Sequence, residues 1–138
     1  MITPDMYTDI ILDHYKNPRN SGMLKNPSAH VVEYNPLCGD TIRLSLHVSK
    51  EGKITDIKFI GEGCALSQAS MSLLGERVKG KKVTTIKRMK TSDIQKIMFL
   101  KTITSSRISC ISLGLQALLN AITLYEKKQK NRFSRATK

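Results

Sequence analysis

The apolar positions near the start of the chain follow a helical period. Thr3-Pro4-Asp5 provides a capping hydroxyl, a first-turn proline and an acidic residue, three features that favour a helix start. Tyr7, Ile10 and Ile11 follow at helical spacing. Asn17-Pro18 is a dipeptide typical of a helix end. The pattern therefore predicts one amphipathic helix before the first turn-rich segment.

The middle of the chain alternates between apolar and polar positions, as half-buried strands do. Strands are predicted at Val31 to Tyr34, Ile42 to Val48 and Ile54 to Ile60. The third strand changes phase near Asp56, which indicates a β-bulge. Short turns separate these strands, so we expect an antiparallel meander with one face open to water.

Helical spacing returns after the third strand. It predicts a helix from Leu66 to Val78 closed by Gly80, two short helices between residues 83 and 99 with Ser92 capping the second, and a long helix from about Ser106 to Tyr125. The order of elements predicts an α+β fold of two layers, in which helices cover one face of a three-stranded antiparallel sheet.

Residues 1–125 are expected to form this single domain. The segment 126–138 is basic and almost free of apolar residues. A segment of that composition buries too little apolar surface to offset its conformational entropy. We therefore expect it to be a disordered tail.

The length and the cysteine content indicate one reduced domain. The chain has 138 residues, of which 40% are hydrophobic, enough for the core of one domain. Its three cysteines are an odd number and lie far apart, a poor disulfide framework. We see no signal peptide and no run near the ~20 apolar residues that span a bilayer. These features predict a cytoplasmic protein without a membrane role, whose thiols stay reduced.

The net charge of +12 raises the question of an acidic partner. The basic residues concentrate between Lys79 and Lys90 and after Tyr125. Aromatic residues are only 5% of the chain and do not interleave with these clusters, so a base-stacking nucleic-acid surface is not favoured. A solvated lysine-rich surface is the simplest interpretation, followed by an acidic protein partner, with nucleic acid last.

The three cysteines lie at the ends of predicted elements. Cys38 lies in the loop before the second strand, Cys64 follows Gly63 at a strand-to-helix junction, and Cys110 lies near the start of the last helix. Exposed backbone N–H groups and the helix dipole lower the pKa of a thiol at such positions. The alternative interpretation is that each cysteine is a small buried hydrophobic residue.

The residues alone suggest a metal site. Asp40 lies two residues after Cys38, and Gly39 permits a bend that turns both side chains toward one ion. Three thiolates and one carboxylate suit a tetrahedral zinc ion, and the same soft ligands suit an iron–sulfur cluster. The zinc site would carry a charge of about −2, which Arg107 and the basic surface offset.

The histidines are weaker candidates for metal ligands. His14 lies on the apolar stripe of the first helix and is predicted to be a packed or interface residue. His30 and His47 lie at a strand edge and within a strand. Lone histidines of this kind are rarely ligands.

Four segments carry a resemblance to a known family. They are Tyr7 to Asn20, Asn35 to Asp40, Phe59 to Ser70, and Arg107 to Cys110 with the following helix. Together they resemble the U-type iron–sulfur scaffold family, which comprises the NifU N-terminal domain, IscU and SufU. The resemblance extends to about Tyr125, and three separate cysteine contexts match in order.

This resemblance implies a shared site and a set of partners. It implies that Cys38, Asp40, Cys64 and Cys110 converge at one exposed end of the fold. It implies zinc in the resting protein, and iron or a transient [2Fe-2S] cluster during assembly. It also implies a cysteine desulfurase that delivers persulfide sulfur, and apo iron–sulfur proteins that receive the product.

The sequence departs from the IscU branch in two ways. Ser109 stands where IscU has a histidine before the third cysteine, and residues 102–106 lack the prolines of IscU's Leu-Pro-Pro-Val-Lys chaperone segment. The missing histidine resembles SufU, a zinc-dependent sulfurtransferase. However, the interval between Cys64 and Cys110 is too short for the insertion that SufU proteins usually carry there. Scaffold and sulfurtransferase therefore both stay open.

The resemblance predicts an iron–sulfur cluster assembly protein that accepts persulfide sulfur. Similarity to SufU favours Cys38 as the acceptor, and similarity to IscU favours Cys110. The alternative hypothesis is a non-catalytic, zinc-stabilised basic module that binds nucleic acid or a protein partner. Such a module would unfold on chelation, and its nucleic-acid affinity would fall steeply with salt.

Overall fold

The computed structural model describes residues 4–36, 39–98, 100 and 105–136, and the side chains of 9–36, 39–98, 100 and 107–131. The elements in chain order are α1 (Pro4–Lys16), β1 (Ala29–Asn35), β2 (Asp40–Val48), β3 (Ile54–Glu62), α2 (Ala65–Val78), α3 (Val83–Ile86), α4 (Thr91–Ile97) and α5 (Ser105–Ala136). The predicted order of helix, strands and helices is confirmed.

The three strands form an antiparallel sheet in the order β1-β2-β3. In β2, Ile42, Leu44 and Leu46 are fully buried, because alternate side chains face the helices. His47 pairs with Asp56, but the next pair joins Val48 to Ile54. The bulge therefore lies beside Asp56, where the change of phase in the sequence predicted it.

Helices α2 and α5 lie on the sheet and enclose the core, as the predicted two-layer α+β fold requires. Helix α5 packs against β1 and β2, and α2 packs against β3, α1 and α5. Among the buried apolar side chains of the two helices are Ala69, Met71, Leu74, Val78, Ile111, Leu118, Ala121 and Ile122.

One stretch of α5, Arg107–Asn131, has the length and apolar content of a membrane span. The expectation from the sequence was that no segment approached such a span. Half of the apolar 18-residue window within this stretch is buried inside the protein, because apolar side chains of the helix pack on β1, β2 and α2. It is therefore accounted for as the core helix of the domain.

The face of the sheet away from the helices is more covered than the alternating pattern predicted. Residues 21–28 run across it: the Leu24 N–H donates to Ser45 Oγ at 3.0 Å, and the Ser28 N–H donates to the Leu46 carbonyl at 2.7 Å. Ser45 is fully buried as a result. The exposed part of this face includes Val32 and Ile60.

Helix α5 continues beyond Tyr125 to Ala136, through the segment predicted to be a disordered tail. Lysine, glutamate and glutamine have good intrinsic helix propensity, so a helix already anchored by its apolar stripe can extend through them. The carboxylate of Glu126 also pairs with Lys87 Nζ at 3.0 Å. Basic residues near a helix C-terminus are favoured by the helix dipole.

Two helix starts can be compared with their predictions. Helix α1 begins at Pro4 as predicted, whereas the predicted cap Thr3 lies outside the described residues. Helix α4 begins one residue before Ser92, so the predicted cap is wrong and Lys90 holds that position. The Lys90 N–H donates to Asp93 Oδ2 at 2.8 Å, which makes Asp93 the side chain that secures this start.

Candidate metal centre

One end of the sheet brings distant parts of the chain together. Asp40 is the first residue of β2, and its neighbour Thr41 pairs with Glu62 at the end of β3. Cys64 follows two residues later as the N-terminal cap of α2. Cys110 lies in the second turn of α5, which packs on β1 and β2. Antiparallel pairing thus places the start of β2 and the start of α2 side by side.

Three of the four predicted ligands converge at this end. One carboxylate oxygen of Asp40 and the sulfurs of Cys64 and Cys110 all lie within 4.8 Å of one another. Cys64 Sγ lies 3.3 Å from Asp40 Oδ2. The fourth predicted ligand, Cys38, lies outside the described residues.

Asp40 is the most deeply buried member of the group. Its side chain is fully buried, and Cys110 is only 8% exposed, whereas Cys64 is half-buried. A buried carboxylate is costly unless hydrogen bonds offset its lost hydration. Asp40 Oδ1 accepts the backbone N–H of Cys64 at 2.8 Å, and Oδ2 accepts the Cys64 thiol. The carboxylate therefore holds Cys64 by its backbone and by its side chain.

Gly63 allows this close contact between the β3–α2 turn and Asp40. Its φ of +133° is rarely adopted by residues with side chains. A Cβ at this position would lie 1.9 Å from Asp40 Oδ1, well inside van der Waals contact. Glycine before Cys64 is thus required by both the backbone and the carboxylate.

Gln68 supports the same turn, and the sequence patterns did not identify it. Its side chain is 7% exposed on α2. With the amide oriented to satisfy both partners, its nitrogen donates to the Gly61 carbonyl at 3.2 Å and its oxygen accepts the Glu62 N–H at 3.3 Å. A Cβ on Gly61 would lie 2.0 Å from this amide. The one feature of the sequence that could have identified Gln68 is that it is the only amide side chain in α2.

The other residues considered from the sequence lie outside this group. Arg107 is exposed at the start of α5. His14 Nδ1 lies 2.7 Å from Ser72 Oγ on α2, and burial lowers the pKa of His14 below its usual value. The His47 Nε2–H donates to the Lys25 carbonyl at 2.9 Å. Among the described residues, no histidine belongs to the group of Asp40, Cys64 and Cys110.

The donor set fits a tetrahedral zinc ion. Zinc–sulfur and zinc–oxygen bonds of about 2.0–2.3 Å place neighbouring ligand atoms roughly 3.5–4 Å apart. The three donor atoms are separated by at most 4.8 Å, so small side-chain movements would suffice. Two thiols and one carboxylate leave a position for a fourth ligand. The arrangement can therefore hold a soft metal, or present thiolates to an incoming sulfur atom.

Known proteins share the sequence pattern and the fold of this chain. Residues 6–132 match the family described as NifU-like N terminal domain. The chain is 36% identical over 129 residues to the iron–sulfur cluster assembly scaffold protein IscU of Rickettsia prowazekii, covering 91% of this chain and 96% of that protein. It is 48% identical over 80 residues to the zinc-dependent sulfurtransferase SufU of Bacillus subtilis, covering 58% of this chain and 53% of that protein.

A solved structure shares the fold. The N-terminal part of a nitrogen-fixing NifU-like protein from Brucella abortus superposes with a TM-score of 0.73 at 23% identity. The match covers 90% of this chain and 96% of that structure. The long match to IscU and the shorter, more identical match to SufU do not choose between the two branches.

Proposed function

The chain belongs to the NifU-like N-terminal domain family, and on that premise we propose that it is an iron–sulfur cluster assembly protein that accepts sulfur from a cysteine desulfurase. The observation that carries the proposal is the convergence of Asp40, Cys64 and Cys110, whose ligand atoms lie within 4.8 Å of one another. Residues this far apart in sequence meet at one end of the sheet, and their donor chemistry is that of a sulfur-handling site.

The proposed ligand set is Cys38, Asp40, Cys64 and Cys110. Bound zinc would supply a positive charge that keeps the thiols in thiolate form at neutral pH. The chain's own contribution is to hold Cys64 by its backbone N–H, which donates to Asp40 Oδ1 at 2.8 Å. Because that carboxylate is fully buried, its contact with Cys64 is costly to disturb.

The sulfur-transfer step needs one thiolate and no external oxidant. The thiolate attacks the terminal sulfur of the desulfurase's cysteine persulfide, and a new sulfur–sulfur bond forms on this chain. The sulfur–sulfur bond on the desulfurase breaks, and its cysteine leaves as a thiolate. The step transfers one sulfur atom with no net oxidation or reduction of the two proteins together. The protein then carries a persulfide.

Cys38 and Cys110 are the candidate acceptors. Attack requires an approach in line with the sulfur–sulfur bond, and Cys110 is only 8% exposed in α5. Transfer to Cys110 would therefore require the start of α5 to move when the desulfurase docks. The burial of Cys110 favours Cys38 as the first acceptor, in agreement with the similarity to SufU.

Asp40 is the proposed ligand that is easiest to replace. A carboxylate is a harder donor than a thiolate, so it is the weaker partner in a soft metal site. If the protein carries a [2Fe-2S] cluster or iron as cargo, Asp40 would help its release to recipient apo proteins. Anaerobic reconstitution followed by visible absorption distinguishes a cluster-building scaffold from a sulfurtransferase that only relays sulfur.

Mass spectrometry tests the transfer directly. The purified protein is incubated with a cysteine desulfurase and cysteine, and each thiol is then mapped for an added sulfur atom. We expect a persulfide on Cys38 or Cys110, and its loss when the acceptor is replaced by serine. Cys64→Ser is the matched control for a ligand that is not an acceptor. An unmodified protein after full turnover of the desulfurase would contradict the proposal.

The same preparation tests the rival basic module. That hypothesis predicts no persulfide, unfolding on chelation, and nucleic-acid binding that falls steeply with salt. A persulfide on the protein together with stimulated desulfurase turnover supports the assembly function instead.

A further inference from the structure

A second surface feature lies at the other end of α2 from the metal centre. Helices α2, α3 and α4 line a cavity of about 310 Å³ that is open to solvent. Its volume is near the lower end of the ~300–1,000 Å³ range of ligand pockets. Residues from Cys64 to Arg77 advance about 20 Å along α2 at 1.5 Å per residue. The cavity is therefore separate from the proposed sulfur-handling site. Its lining residues are Arg77, Lys81, Thr85, Ile86, Met89, Asp93, Lys96 and Ile97.

The floor of this cavity is apolar. Ile86 is fully buried beneath it, and Met89 and Ile97 are partly buried side chains packed against the core. Methionine is flexible and polarisable, so it adapts to different apolar partners. A floor of this kind favours an apolar side chain over a solvated ligand.

The rim of the cavity is cationic. Arg77, Lys81 and Lys96 surround the floor with one acidic residue, Asp93, whose carboxylate accepts the Lys90 N–H. None of the three cations forms a salt bridge with another residue whose side chain is described.

The neighbouring lysines behave differently. Lys79 pairs with Asp56 at 3.6 Å and Lys87 pairs with Glu126 at 3.0 Å. Within the basic segment from Lys79 to Lys90, Lys79 and Lys87 thus pair with carboxylates of this protein. Lys81, on the cavity rim, has no such pair among the described side chains and can pair with a carboxylate of a partner. This division is the reason to look for an external anionic partner at the cavity.

We infer that this cavity docks an acidic amphipathic segment of a partner protein, with an apolar side chain on the floor and carboxylates against the rim. A helix or strand that presents leucine between glutamates meets both requirements. Nucleic acid meets only one, because its phosphates would leave the apolar floor uncovered and the lining offers no aromatic ring for stacking. The inference does not depend on sulfur transfer.

The test compares two pairs of charge reversals in the full chain. Lys81→Glu with Lys96→Glu alters the rim, and Lys25→Glu with Lys50→Glu alters exposed lysines elsewhere by the same net charge. The main chain at Lys81 stays anchored, since its carbonyl accepts the Ile54 N–H at 3.0 Å. Circular dichroism and melting curves verify that both variants fold.

The probe is a short fluorescent peptide in which leucines alternate with glutamates, and binding is followed by anisotropy at physiological salt. We expect the rim pair to weaken binding by about tenfold, because attractive contacts become repulsive. The control pair should change binding by less than about twofold, because charges beyond the ~8 Å Debye length are screened. Amide chemical shifts should move at Thr85, Met89 and Ile97 when the peptide is added.

Three results would overturn the inference. The first is equal weakening by the rim pair and the control pair, which would indicate attraction to net charge alone. The second is undiminished binding of a matched peptide with serine in place of leucine, since the floor would then be unused. The third is displacement of the peptide at this cavity by a tighter-binding DNA duplex, which would assign the surface to nucleic acid.

Discussion

The two ends of α2 show two different ways of presenting charged side chains. At the N-terminal end, Asp40 is fully buried and is bonded to the backbone and the thiol of Cys64. At the C-terminal end, Arg77 and Lys81 are exposed around an open cavity. A buried, hydrogen-bonded group is held in place and is costly to disturb, whereas an exposed charge is mobile and screened. The first arrangement suits an inner metal site, and the second suits reversible docking.

The largest expected effect is a loss of zinc affinity on substitution at the N-terminal end of α2, with no such loss at its C-terminal end. Cys64→Ser should lower zinc affinity by more than the roughly 10–100-fold that is lost with a supporting contact alone. Asp40→Asn should cost less, because its remaining side-chain oxygen can still accept the Cys64 N–H. Competition with a chromophoric chelator measures both affinities.

The control for this prediction comes from the other end of α2. The Lys81→Glu and Lys96→Glu double variant should bind zinc like the unaltered protein. Zinc binding that is unaffected by Cys64→Ser, or is lost in the lysine variant, would contradict the division between the two ends.

The second prediction tests how tightly the backbone is constrained beside the metal site. In Gly63→Ala, the new methyl group would meet Asp40 at a φ of +133°, so we expect a loss of about 2–3 kcal/mol in the free energy of unfolding. Gly80→Ala, beyond the end of α2, has a φ of +82° and nothing within 4 Å. It should cost only the backbone strain of about 1 kcal/mol.

Urea unfolding of both glycine variants in the presence of a chelator measures this difference without any contribution from metal. Equal losses would mean that contact with Asp40 adds nothing to the strain. A larger loss in the Gly80 variant would reverse the proposed contrast between the two ends.

Local patterns were sufficient to predict most of the fold. Alternation located the strands because one face of the sheet is buried, and even the bulge beside Asp56 was visible as a change of phase. The stripe containing Ile111, Leu118 and Ile122 located α5 because these side chains pack into the core. Such signals lie within one element and need no knowledge of tertiary contacts.

The features that the sequence patterns did not predict depend on contacts between distant segments. The cover over Ser45 comes from residues 21–28, whose backbone bonds to the sheet leave no periodic pattern. The extension of α5 is poor in apolar residues, and Glu126 pairs with Lys87 at the end of α3. Propensity and distant pairing can thus outweigh composition at a helix end.

The candidate site was only partly visible in the residues. The spacing of Cys64 and Cys110 carries no compact motif, so the residue types only suggested a shared metal site, and the family resemblance implied the convergence. The structure brings both sulfurs to Asp40. Gln68 escaped notice because its role depends on backbone groups of Gly61 and Glu62 across the turn. Residue types indicated the chemistry, but tertiary contacts determine the support around it.

The smallest expected effect concerns the exposed ion pair between α3 and the extended part of α5. Lys87 and Glu126 have side chains that are 48% and 42% exposed, with Nζ and Oε1 3.0 Å apart. Because water and salt screen such a pair, Lys87→Ala should lower the free energy of unfolding by less than about 0.5 kcal/mol. Lys50→Ala, at an exposed lysine without an ion pair among the described side chains, is the matched control. Urea unfolding at low and high salt measures both variants, and their free energies of unfolding should converge as the salt concentration rises. A loss above ~1 kcal/mol that persists in high salt would contradict this prediction, because the exposed Lys87–Glu126 pair would then be as costly to remove as a buried contact.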